Sequence, residues 1–278
     1  MKQKSDIRAI LSEDELFSLL NDFKEFIKYL LLESKKDTNH YKDILFAYSL
    51  ARVICQVDTI FFLWSNEYYS DCWILYRVQV EKLLTLHYLI DTDTVEKFDD
   101  WSFIKNFEAR NNAKSDSKNK KYLIKKFWTE NPERIERYQN LKSKQIEWKR
   151  PTSSQFEEIA EQHNVLELYK FGYKFASHFV HPMSFDGEHE YSIVTGITPK
   201  GEVNEDTTPF LFNSLIVLIY TVRLLLDETS FSWNEYIYKF PNQCYQYMES
   251  KDVSYQETLK LIRFMIKTKF PIYKKDNT

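Results

Sequence analysis

Glycine is nearly missing from this sequence, at four residues in 278, and there are only seven prolines. Folds built on β-hairpins or βαβ units need glycine where φ turns positive and proline where turns begin. The scarcity therefore points away from a sheet-based architecture and towards helices joined by polar connections. Cysteine is also sparse. Cys55, Cys72 and Cys244 make no disulfide framework and no metal spacing. Each falls in an apolar helical context, so all three are expected to be small core residues in a reducing cytoplasm. There is no glycine-rich phosphate loop, no G-x-S-x-G elbow, no C-x-x-C and no H-E-x-x-H, so nucleotide-loop, α/β-hydrolase and common zinc chemistries are not indicated. His178 and His181 with Glu188 or His189 have no diagnostic ligand spacing, and neither a metal nor a cofactor is expected. The first residues, MKQKSDIRAILSEDELF, lack the apolar core of a signal peptide. Pro209 to Leu226, PFLFNSLIVLIYTVRLLL, is short for a membrane span and is broken by Asn213, Ser214 and Arg223. It reads as a buried helix of a cytoplasmic protein that does not enter a membrane.

What the chain has in quantity is aromatic side chains, 17% of residues, which places Phe, Tyr and Trp at the centre of its core. Net charge is only −3, but Lys105 to Arg150 carries +8 and the rest of the chain −11. A basic segment on an acidic body suits docking of an anionic polymer, and equally a solvated helical hairpin rich in lysine.

Apolar spacing predicts helices throughout. The first covers Glu13 to Glu33, capped by Ser12, with Leu16, Leu19, Leu20, Phe23, Phe26, Ile27 and Leu30 on one face. The second covers Tyr41 to Trp64, with Ile44, Tyr48, Ala51, Ile54, Val57, Phe61 and Trp64 inward. A third, Asp71 to Ile90, is apolar almost all round, the pattern of a central helix. Thr94 to Ala109 follows, then a polar loop at NNAKSDSKNKK. Two basic helices, Tyr122 to Trp128 and Asn131 to Trp148, make a projecting hairpin within 105–150. Ser154 to His163 and Leu166 to His181 form a pair, Glu190 to Val203 a short β-hairpin or ordered loop, and helices at Thr208 to Asp227, Asn234 to Glu249 and Ser254 to Lys267 complete the chain. The expectation is one all-α domain over residues 1–278, a multi-helix bundle.

Two places carry chemistry. On the third helix Arg77 and Glu81 lie one turn apart among apolar neighbours, where charges are costly unless paired and hydrogen-bonded. The Arg-first order is the weaker i,i+4 arrangement, so mutual pairing explains them incompletely. A buried ion pair that fixes helix register is the structural alternative. The second place is YKFASHFVHP, Tyr173 to Pro182. Phe171, Phe175 and Phe179 make the expected core stripe. Tyr169, Tyr173, Ser177 and His181 make a second stripe, turned away from the first, with His178 between them. Tyrosine, serine and histidine in place of Lys and Glu suggest a half-buried or ligand-contacting surface. His181 sits in the last turn, where the helix dipole favours its protonated form and suits it to acid–base work. A cap or a hydrogen-bonded core position is the structural alternative for each histidine. Ser177 and His181 could form a hydrolase pair, but no oxyanion device accompanies them.

Arg77 and Glu81 in Arg-x-x-x-Glu, followed by Tyr173, Ser177, His181 and Pro182 in Tyr-x-x-x-Ser-x-x-x-His-Pro, resemble the bacterial helical family catalogued as domain of unknown function 5677. The resemblance spans roughly the second to the seventh helix. It implies that Arg77, Glu81, Tyr173, Ser177 and His181 converge on one site. A looser resemblance is to the HEPN group of helical proteins, many of them ribonucleases of toxin–antitoxin and anti-phage systems that act as dimers. Those enzymes carry an arginine and a histidine four to six residues apart on one helix, and no arginine here has a histidine at that spacing. An HEPN-like site would therefore draw Arg77 and His181 from different helices.

Two functions follow. In the first, the chain is a metal-independent endoribonuclease, a toxin or anti-phage effector. His181 moves the proton, Arg77 carries the phosphate charge, Glu81 orients Arg77 or tunes His181, and Tyr173 and Ser177 hold substrate oxygens. His178 with Lys120, Lys121, Lys125 and Lys126 attracts the RNA backbone, and the aromatics of KKYLIKKFW stack on bases. Its partners would be RNA, a second copy of the chain, and a protein partner or antitoxin. In the second, the polar cluster is a hydrogen-bond network and the basic hairpin docks a protein or nucleic acid.

Overall fold

The computed structural model describes residues 11–34, 41–115, 132–180, 194–196, 208–229 and 233–270. In chain order the helices are α1 (Glu13–Ser34), α2 (Tyr41–Trp64), α3 (Tyr69–Asp91), α4 (Val95–Ser115), α5 (Pro132–Ser143) and α6 (Ser153–Gln162). Helix α7 changes pitch twice, from α over Leu166–Leu168 to π over Tyr169–Lys174 to 3-10 over Phe175–Phe179. Then come α8 (Thr208–Glu228), α9 (Glu235–Ser250) and α10 (Tyr255–Lys269). No strand occurs among the described residues, and the fold is all-α.

Local chemistry accounts for most of these boundaries. Ser12 and Glu15 form a reciprocal capping box: the Ser12 amide donates to Glu15 Oε2 at 2.7 Å and the Glu15 amide to Ser12 Oγ at 3.3 Å. Helix α4 runs past Ala109 to Ser115, taking in residues expected to open a loop. Asn111, Asn112, Ala113 and Lys114 include neither glycine nor proline, so nothing there breaks the helix. Helix α5 stops at Ser143, short of Trp148, because Gln145 takes a left-handed φ of 49° and turns the chain. The expected helix at 122–128 lies outside the described residues. So does the expected hairpin at 190–203, apart from Val194 and Thr195, whose backbone is helical, and Gly196.

The chain divides into two compact units, one of residues 1–85 and 156–278, the other of residues 86–155. In the first, α8 packs against α1, α2 and α9. It thus holds the central place that apolarity suggested for α3, several of whose residues, Arg77 and Glu81 among them, are only partly buried. By length and composition Phe210–Glu228 could cross a membrane, yet 72% of it is buried inside the protein, where Leu211, Leu215, Val217, Leu218, Ile219 and Val222 fill the core. All seven apolar residues expected on the inner face of α1 are buried. Phe26 stacks on Phe240 of α9 at 4.3 Å. A second aromatic cluster joins α2, α3, α7 and α8. Trp73 meets Phe210 at 4.9 Å, Phe175 at 5.1 Å and Phe179 at 5.5 Å, while Trp64 stacks on Phe210 at 6.3 Å.

Two expectations about burial are corrected. Cys55 is exposed, unlike Cys72 and Cys244, because it faces out from α2 between the buried Ile54 and Gln56. Tyr48, assigned to the inner face of the same helix, is 71% exposed, since burial there follows Phe46, Leu50, Val53, Val57 and Ile60.

In the second unit α4 packs against α5. Phe107 stacks on Tyr138 at 4.2 Å, Arg137 lies over the Phe103 ring at 4.4 Å, and Trp148 is enclosed by Tyr88, Phe98 and Trp101. Part of the basic charge is neutralised locally. Arg137 pairs with Asp99 at 2.6 Å and Asp100 at 3.0 Å, while Lys105 and Lys142 both pair with Glu108.

Candidate functional site

Arg77 and Glu81 project from one face of α3, one turn apart, with side chains only 16% and 21% exposed. Their ion pair is loose, Nη1 to Oε2 at 3.4 Å, as the weaker order along the helix anticipates. The closer anchor comes from α7, where Arg77 Nε donates to Ser177 Oγ at 2.9 Å. The guanidinium also lies over the Tyr173 ring, 4.8 Å from its centre, which adds a cation–π contact at a partly desolvated site. Tyr173 is itself stacked on the fully buried Tyr169 at 5.5 Å and edge-on to Phe156 at 5.4 Å, so the surface beneath the guanidinium is rigid.

Ser177 is committed in two directions. Its hydroxyl donates to the Tyr173 carbonyl one turn back, while its oxygen accepts from Arg77. The proton is spent on the backbone and the serine acts as a bracket for the arginine, not as an activated nucleophile. Arg77 Nη2 makes no hydrogen bond among the described residues.

The approach of α7 to α3 depends on Gly172. A Cβ built there would stand 2.3 Å from Val80 Cγ2 and 3.0 Å from the Tyr76 ring, closer than carbon atoms tolerate. Only glycine permits that contact, and it lies beside Arg77 on α3 and within the π-helical stretch of α7. π-Helical segments cost hydrogen-bond geometry and recur at functional sites. The same contact overturns the expected core stripe. Tyr169, Gly172 and Ala176 face inward, because the two small residues let the backbones close, whereas Phe171 and Phe175 remain 55% and 46% exposed. Phe175 and Phe179 instead flank Trp73 at the edge of the core.

Four sequence candidates, Arg77, Glu81, Tyr173 and Ser177, thus come together. His178 is exposed beside Phe175, ring centres 6.2 Å apart, and no hydrogen bond links it to the guanidinium. His181, Pro182, Glu188 and His189 lie outside the described residues, as do Lys120, Lys121, Lys125 and Lys126. Sequence reasoning passed over Gly172, although a glycine inside a helical pattern in so glycine-poor a chain was a signal of close backbone approach. It also passed over Gln79, buried on α3, which donates to the Ser214 carbonyl of α8 at 2.9 Å and ties α3 to the central helix.

No curated protein and no solved structure matches the chain. Residues 43–191, which include Arg77, Glu81, Gly172, Tyr173 and Ser177, match the model described as "Family of unknown function (DUF5677)", and the chain belongs to that family.

Proposed function

We propose that the chain is a metal-independent ribonuclease in which Arg77 carries the negative charge that develops on the scissile phosphate. The observation behind this reading is the way Arg77 is held. Glu81, Ser177 and the Tyr173 ring set its position from three sides. A preorganised arginine in a partly desolvated setting stabilises developing phosphoryl charge at little reorganisation cost. His181 follows Ser177 by four residues in sequence and takes the proton of the 2′-hydroxyl. The freed oxygen attacks phosphorus, the bond to the 5′-oxygen breaks, and the imidazolium returns its proton to that oxygen. The products are a 2′,3′-cyclic phosphate and a 5′-hydroxyl. Tyr173 and Ser177 act through Arg77 as positioning residues. The basic residues of 105–150 attract the RNA, apart from those that are paired locally, Lys105, Arg137 and Lys142 among them. Such cleavage would serve a toxin or an anti-phage effector.

A second reading is favoured by the closure of the same network. Glu81 offsets the charge of Arg77, the hydroxyl proton of Ser177 is spent on the backbone, and the group as a whole clamps α3 to α7. Here the cluster is architecture and the chain a binding module. The discriminating experiment incubates wild type and His181→Ala with total cellular RNA in EDTA, with thermal melts of both. Ribonuclease action predicts cleavage by wild type only, at similar Tm. An inert wild type, with a mutant that melts well below it, supports the binding module.

A further inference from the structure

Helix α2 is the second apolar helix long enough to cross a membrane, yet only 39% of its apolar stretch is buried, against 72% for α8. Its uncovered face is ordered. Tyr48, 71% exposed, Cys55, exposed, and Phe62, 66% exposed, stand seven residues apart and form one stripe about 21 Å long at 1.5 Å per residue. Two exposed aromatics and a thiol at heptad spacing form the kind of seam a helix presents to another helix.

The stripe is symmetric about Cys55. Tyr48 and Phe62 lie seven residues before and after it, Ala51 and Thr59 four, Arg52 and Asp58 three. Arg52 is exposed, and Asp58, though bonded by Lys24 at 2.6 Å, keeps half of its side chain exposed. We propose that this face binds a second copy of the chain, with the α2 helices antiparallel about a two-fold axis beside Cys55. In that arrangement each residue lies level with its counterpart on the other copy. Tyr48 meets Phe62, Arg52 lies across the seam from Asp58, and the small Ala51 and Thr59 allow the helices to close. Opposite charges and matched aromatics at counterpart positions are what an isologous interface requires, since one surface must complement itself. Four aromatic rings, each worth roughly 150–250 Å² when buried, supply a large part of the ~1,200 Å² at which specific interfaces begin. The proposal does not depend on the ribonuclease reading.

Sedimentation of the full chain tests it. Wild type is expected at about twice the 33.6 kDa of the chain. Phe62→Asp is expected as a folded monomer with the helical circular dichroism of wild type, because the residue is exposed, and with a Tm that no longer rises with protein concentration. Arg52→Asp and Asp58→Arg, each alone, are expected to weaken association by about tenfold or more, and the double variant to restore it. Diamide, which takes two electrons and two protons from a pair of thiols, is expected to join two wild-type copies through Cys55 and to leave Cys55→Ser unjoined. A wild-type monomer at all concentrations overturns the proposal. So does a dimer that is indifferent to Phe62→Asp, a double variant no better than the singles, or a monomer that floats with phosphatidylglycerol vesicles and loses them on Phe62→Asp.

Discussion

Arg77 and Ser177, one hundred residues apart in the chain, are joined by a hydrogen bond of 2.9 Å between the guanidinium Nε and the hydroxyl oxygen. Because Ser177 also donates to the Tyr173 carbonyl, the bond fixes the arginine to the backbone of α7 and not merely to a mobile side chain. An arginine so fixed has a defined direction, and that is the property both functional readings rest on.

Removing the bracket leaves a partly buried charged donor without its partner. Ser177→Ala is expected to lower stability by roughly 1–3 kcal/mol in urea denaturation. In combination with Arg77→Met the loss should fall short of the sum of the two single losses, because the interaction is removed once only. Strict additivity would show that the bond contributes nothing.

Gly172→Ala places a methyl group where Val80 already stands. The expected loss is about 1–3 kcal/mol, the usual cost of overpacking. Adding Val80→Ala should recover part of it, even though that change alone opens a cavity. A Gly172→Ala variant as stable as wild type would mean that α3 and α7 separate without cost.

Lys82 is half-buried on α3 and donates to Gln56 Oε1 at 2.9 Å. Burial, with the charge of Arg52 nearby, pushes its ammonium down from 10.5 to about 8, against a smaller opposing effect of Glu81. The folded state therefore binds this proton less tightly than the unfolded state. The cost of holding it charged is fully present below about pH 8 and fades as pH rises towards 10.5. The stability of wild type relative to Lys82→Met is expected to improve across that window. Buried groups such as the Cys72 thiol, pushed up to about 12, act with the opposite sign in both proteins and cancel in the comparison. Denaturation midpoints of the two proteins at three pH values decide it.

The three thiols should separate by accessibility. In dilute solution Cys55 alone is expected to react with Ellman's reagent, while Cys72 and Cys244 react only on unfolding. Burial raises both of the latter thiols and so also withholds the reactive thiolate. A second fast-reacting thiol in the native protein, or a fast phase that survives Cys55→Ser, would contradict this.

Much of this protein is legible without its coordinates, because helices are specified by interactions within a few residues. Glycine and proline scarcity pointed to a helical body. Periodicity marked α1 and all of its buried residues but Tyr29, and the bounds of α2 were read to the residue. The Ser12 cap was visible as a residue type at a position, and Arg77 and Glu81 as an ill-matched charge pair on an apolar helix. Tertiary structure decided what covers each face. On α7 three phenylalanines at helical spacing looked like the core, but Gly172 and Ala176 allow a closer backbone contact, and the helix turned that way instead. On α2 Tyr48, Cys55 and Phe62 stay largely exposed among the described residues. The union of Arg77 with Ser177 and Tyr173 belongs to the same class. Spacing along the chain determines which residues share a face, whereas the element that meets that face is chosen by packing between segments a hundred residues apart.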